Sequence, residues 1–131
     1  MAKEVHFLNK RAKEFWERAK EDFQKRRYNL CALDVEQAAQ LWLKYLIFLK
    51  AGDFPKTHYF ETLIDSLAHI YSSSIKKFYK DFILQFTSLE DAYLTSRYLP
   101  KEFSKEEAEK LTEFTNELFK VLEKFSNEKF I

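Results

Sequence analysis

The chain has 131 residues, 46% hydrophobic and 33% charged, with a net charge of +1. That balance suits one folded domain, residues 1–131, with a single core; it excludes a disordered chain and a surface built to coat duplex nucleic acid. One Gly and two Pro are too few for the turns of an all-β sandwich or for a glycine-rich phosphate loop. The single Cys31 has no partner for an internal disulfide, which fits a reducing compartment. The N-terminal stretch MAKEVHFLNKRAKEFW has no apolar core of signal-peptide length, and the most apolar run, LWLKYLIFLKAG, is short and contains two lysines. The expectation is a cytoplasmic protein with no membrane association.

The first predicted helix covers about Phe7 to Arg27, with Leu8, Ala12, Phe15, Trp16, Ala19 and Phe23 making one apolar stripe on a charged rod. A break follows at RRYN, with Asn29 as the expected N-cap. The second helix, from about Leu30 to Ala51, is apolar nearly all round, which marks it as central and covered by its neighbours. Its polar residues Gln37, Gln40 and Lys44 share one face. Asp34 and Glu36 are expected to pair with nearby lysines. Gly52 suits a left-handed C-terminal turn, and Pro55 prevents continuation.

The third helix is expected to be capped by Thr57, with Phe60, Leu63, Ile64 and Leu67 on its apolar face. Three serines at 72–74 interrupt it, and a further helix carries Ile75, Phe78, Tyr79, Phe82, Ile83 and Phe86. Ser88 with Asp91 resembles a capping box and predicts the start of a separate short helix that stops at Leu99, because Pro100 disfavours helical geometry before it. Ser104 and Glu107 form a full capping box for a last helix whose apolar positions are Leu111, Phe114, Leu118, Val121, Leu122 and Phe125. No strand pattern survives. The fold class is all-α: an up-and-down four-helix bundle with one or two additional short helices.

Read from residue types alone, Arg97 is either a cation at a helix C-terminus or a guanidinium fork for phosphate oxygens. Tyr98 is expected to pack with its hydroxyl at the rim, and base stacking is its sharper use. His58 is expected at a helix start, bonded to backbone. His6 and His69 are expected at the surface and Cys31 in the core. KRRY at 25–28 could add to an anion-binding surface. The three histidines have no metal-ligand spacing, so no metal and no cofactor are expected.

The stretch YNLCALDVEQAAQLWLKYLIFLKAGDFPKTHYFETLI, together with SRYLP at 96–100, resembles the HEPN family of small helical domains. Ala32, Gln37, Ala39, Lys44, Leu46, Ile47, Thr57, His58 and Leu63 carry the first part of the match. Ser96, Arg97, Tyr98 and Pro100 carry the second, with the proline one residue late. The likeness spans about Phe7 to Phe125. It implies a homodimer whose cleft collects the motif arginines, and one of two roles. One is a metal-independent ribonuclease with an arginine followed four to six residues later by histidine. The other is a nucleotide- or RNA-associated binding subunit, the partner of a separate minimal nucleotidyltransferase in a toxin–antitoxin-like pair.

In this sequence the histidine window after Arg97 holds Glu102, Phe103 and Ser104. RNA cleavage by acid–base chemistry wants a group titrating near neutrality. The expectation is therefore a binding subunit with no catalytic residue, its nucleotide or anion site formed by Arg97, Tyr98, Lys44, Gln37 and His58. A divergent endoribonuclease lacking the motif histidine and a purely structural interaction module are the alternatives.

Overall fold

The computed structural model describes residues 2–130, with side chains from Phe7 onward; the His6 side chain lies outside the described residues. Six helices and no strand are found among the described residues: α1 (Ala2–Gln24), α2 (Tyr28–Ala51), α3 (Phe60–Ile70), α4 (Ser74–Asp81), α5 (Ile83–Tyr98) and α6 (Lys105–Ser126). The all-α expectation holds.

Helix α2 is the axis of the molecule, packing against α1, α3, α5 and α6. Its Ala32, Val35, Ala38, Ala39, Leu43 and Leu46 are fully buried, as a sequence apolar around its circumference requires. α1 runs antiparallel to it. Arg18 meets Asp34 and Lys13 lies near the Trp42 ring, so contacts climb α2 as they descend α1. The three-residue link between these helices puts Arg26 at φ 61. The expected N-cap at Asn29 is corrected: α2 begins at Tyr28, because Asn29 accepts the Phe103 backbone N–H at 2.8 Å and thereby ties α2 to the approach of α6.

Gly52 closes α2 in the left-handed region (φ 76), its N–H returning to Phe48 O. Thr57 does not cap α3. Its Oγ1 accepts from Tyr59 N, and the first α3 amide, Phe60 N, is satisfied by Glu90 of α5 at 2.8 Å. The capping box expected at Ser88 and Asp91 does not form, because α5 is one continuous helix from Ile83 to Tyr98. Ser88 lies in its interior. The break comes earlier, at Phe82, whose ring is drawn against Phe78 and Phe114. Leu99 is extended before Pro100, and the Ser104–Glu107 capping box starts α6 as expected.

The core's heaviest packing is aromatic. Trp16, Trp42 and Phe119 converge with Phe130, whose ring stacks on Phe119 at 4.0 Å and meets Trp42 edge-on at 4.9 Å. Asn127, in the left-handed region at φ 62, ends α6 and turns the tail back to deliver Phe130. Phe130 is therefore expected to behave as a core residue. Phe130→Ala should lower unfolding stability by about 3–5 kcal/mol, whereas Phe7→Ala, at an exposed position, should change it by about 0.5 kcal/mol or less. Chemical denaturation of the two variants checks this, and equal small effects would mean that the tail is not docked.

Candidate functional site

The predicted site residues fall into two groups. The first lies where the segment before α3 meets the last two turns of α5. Arg97 folds back along its own helix instead of projecting away from it. Its Nη1 donates to the Tyr93 hydroxyl at 2.8 Å, and its guanidinium lies 5.1 Å from the Tyr93 ring centre and 5.0 Å from that of Tyr98. His58 does not bond the backbone as expected. Its imidazole stacks on Tyr93 at 5.7 Å with the planes 19° apart, and Tyr59 lies on it at 4.3 Å. The result is a ladder of planar groups in the order Tyr59, His58, Tyr93, Arg97, Tyr98. The outermost rings are open to solvent, Tyr59 55% exposed and Tyr98 63%. Tyr98 is thus not the packing residue expected from its sequence context.

Tyr93 is the residue that sequence reading missed. It sits one helical turn before Arg97, the spacing at which side chains on one helix meet. Both residues lie within the helix expected from Ser88 to Leu99, so this spacing was legible in the sequence; the stacking of His58 on Tyr93 across the fold was not.

The second group runs along α2. Glu36 is completely buried. Gln37 donates to it at 2.7 Å and Gln40 donates to its other oxygen. Lys44 in turn donates to Gln40 at 3.3 Å, so Glu36, Gln40 and Lys44 form a polar line one turn apart. Lys44 and Lys56 both approach the Phe54 ring, at 5.8 and 4.1 Å. Burial lowers the Lys44 pKa, with Glu36 opposing and Lys56 reinforcing the fall. The expectation that Asp34 and Glu36 pair with lysines is corrected. Asp34 takes the Arg18 fork, at 2.7 Å from Nη2, and Glu36 is held mainly by two amides.

The groups are linked through Glu90 on α5. Its carboxylate holds the start of α3, directly after the ladder residues His58 and Tyr59, and its charge acts on Glu36. Within KRRY, Lys25 is paired with Glu21 and Arg27 with Asp22, so the cluster is partly committed to the fold. Cys31 is buried near Thr112, and burial pushes its thiol up to about 11. No group of acidic, His or Cys residues that could hold a metal ion is found among the described residues. No helix among them is long and apolar enough to cross a membrane.

Burial raises the Glu36 carboxyl from 4.5 to about 7, against the lowering pull of Gln40, Gln37 and Lys44. The folded protein therefore keeps a proton on Glu36 where the unfolded chain has lost it. This contribution to stability is complete below pH 4.5 and is lost as pH rises through about 7, an amount on the order of 3 kcal/mol. Asp34, which burial raises to about 6 against the Arg18 hydrogen bonds and with Asp22 adding to the rise, acts in the same direction. Urea unfolding should show the wild type losing stability between pH 5 and 8, and Glu36→Gln losing much less. Parallel pH profiles for the two proteins would mean that Glu36 stays ionised when buried.

No curated protein and no solved structure matches the chain. The family model of the HEPN domain matches residues 5–125, which covers all six helices except the first turn of α1 and the last residue of α6; the chain belongs to the HEPN domain family.

Proposed function

We propose that this protein is a nucleotide- or RNA-binding subunit that works as a homodimer beside a separate minimal nucleotidyltransferase, in a toxin–antitoxin-like pair, and that the ladder around Arg97 is its binding platform. The observation carrying the proposal is the ladder itself, four aromatic rings and a guanidinium aligned at the ends of two helices, with both outer rings largely in solvent. Bases stack on aromatic faces whatever their sequence, and a guanidinium beside them supplies a bidentate contact to phosphate.

Each member has a distinct task. Tyr98 and Tyr59 offer stacking faces. Tyr93 and His58 keep the inner rungs parallel. The Tyr93 hydroxyl fixes the Arg97 fork at its near end and leaves the remaining N–H groups for phosphate oxygens. Lys44 and Lys56, two cations sharing one phenyl ring, supply a second point of positive charge. Gln37 keeps the Glu36 carboxyl satisfied beneath them. The family's association with nucleotides and RNA supports this reading. So does the absence of histidine from the window after Arg97, which leaves chemistry to the partner chain.

Fluorescence anisotropy with a short labelled single-stranded RNA, and competition with free nucleotide, tests the proposal. Arg97→Ala should weaken binding at least about tenfold, since 1.4 kcal/mol is one decade, and Arg97→Lys should recover part of it by restoring charge without the fork. Tyr98→Ala should cost about 1–3 kcal/mol of binding, the worth of one stacked base. Melting temperatures should barely move, because Arg97 and Tyr98 are exposed. Wild-type affinity in Arg97→Ala combined with a much lower melting point would make the arginine a structural cap and defeat the platform.

A further inference from the structure

Helices α1 and α6 both pack on α2 and touch each other where the Trp16 ring meets that of Phe119 at 5.2 Å. Beside that contact lies an open cavity of about 420 Å³. Its α1 wall carries Trp16, Ala19, Lys20 and Phe23, and its α6 wall carries Glu109 and Glu113. Both sets follow the three- and four-residue spacing that puts side chains on one side of a helix. Trp16 and Ala19 are buried and Phe23 is half-buried, so the floor is apolar. None of these residues belongs to the ladder or to the polar line of α2.

The rim carries opposite charges on opposite walls. Lys20 stands on α1, with Glu109 and Glu113 one turn apart on α6, and none of the three has an ion-pair partner among the described residues. Other carboxylates of α6 do: Glu107 pairs with Lys101 and Glu117 with Lys120. A further donor lies on the α1 wall. Trp16 is only 4% exposed, yet its indole N–H has no acceptor among the described residues, and a buried polar group ordinarily has one. Trp16 and Lys20 are one helical turn apart. Two unengaged donors thus share one wall, and two unengaged carboxylates the other.

A molecule that satisfies both walls at once carries an anion and a cation close together, with an apolar group beside them. We infer that this cavity binds a free α-amino acid with a large apolar side chain. Lys20 and the Trp16 N–H hold its carboxylate, Glu109 and Glu113 hold its ammonium, and its side chain lies on Trp16 and Phe23. The volume and the mostly apolar lining with a few placed polar groups are those of small-molecule sites. A nucleotide does not suit it, because the two α6 carboxylates repel phosphate. The site is separate from the platform around Arg97 and does not rest on the role proposed for it.

Tryptophan emission reports on the cavity through Trp16, and three probes that do not absorb where tryptophan is excited test the inference: L-phenylalanine, phenylethylamine, which lacks the carboxylate, and 3-phenylpropionate, which lacks the ammonium. L-Phenylalanine should shift the emission saturably, and each truncated probe should bind about fivefold more weakly, the worth of one exposed ion pair. Lys20→Gln should bring L-phenylalanine down to the level of phenylethylamine without weakening phenylethylamine. Glu109→Gln combined with Glu113→Gln should weaken L-phenylalanine and phenylethylamine and leave 3-phenylpropionate no weaker. These three side chains are exposed, so melting temperatures should stay at the wild-type value, and the changes in binding are then those of the rim. No saturable shift with L-phenylalanine overturns the site. Equal binding of all three probes overturns the amino-acid assignment, and L-phenylalanine binding that survives both sets of rim variants overturns the placement between α1 and α6.

Discussion

The organising constraint is the burial of α2 on almost every side. A helix in that position has no water for its polar side chains, yet this one carries two fully buried carboxyls, Asp34 and Glu36. Each must be satisfied from within the protein or remain protonated. The sequence provides both solutions. Asp34 faces α1 and receives a guanidinium whose own side chain lies 58% in solvent, so the positive partner keeps much of its hydration. Glu36 receives two glutamine amides from its own helix, one residue and one turn away, and holds its proton until near neutrality. The first arrangement fastens α1 to α2. The second leaves a titratable group beneath Lys44 and close to Glu90.

Glu90 explains how this interior arrangement reaches the surface. Thr57 is spent on the Tyr59 amide, so no side chain of the preceding segment caps α3. A carboxylate from another helix takes that duty. The position of His58 and Tyr59 is therefore set by α5, the helix that also bears Tyr93, Arg97 and Tyr98. The ladder depends on this. Its rungs come from segments more than thirty residues apart in the chain, and they can stack only if the start of α3 is fixed to the side of α5. A local cap at Thr57 would have left the two halves of the platform independent.

Local rules had good reach in this sequence. The apolar stripes of α1, α3 and α6, the all-round burial of α2, the Gly52 stop and the Ser104 capping box follow from periodicity and cap chemistry, and the structure shows each. The failures also have causes. Ser88 and Asp91 satisfy a capping pattern, but tertiary packing of Phe86 and Leu89 on either side keeps the helix running through them. Asn29 has the chemistry of a cap and is recruited by a distant amide instead. Phe130 lies beyond the last periodic segment and outside the stretch matched by the family. Nothing local signals that Asn127 will turn the tail back into the aromatic cluster. In the site, Arg97, Tyr98, His58, Lys44 and Gln37 could be named singly. Their division into a ladder and a buried polar line could not, because Tyr93 and Glu90 bring partners together across the fold.

Helix α5 shows how one short element serves several neighbours. Its sequence is neither strongly amphipathic nor uniformly apolar, and each angular sector has its own partner. Phe86, Leu89 and Ala92 enter the core. Glu90, Tyr93 and Arg97 turn toward the start of α3. Leu84, Ser88, Asp91 and Thr95 line the groove beside α6. A helix with three occupied faces cannot present the single polar face of an ordinary surface helix, so its remaining apolar residues stay exposed. Such exposure is disfavoured in an isolated molecule unless a partner covers it. The irregular pattern of α5 is thus itself informative: the helix most weakly marked by periodicity is the one where the core, the binding ladder and an uncovered apolar groove meet.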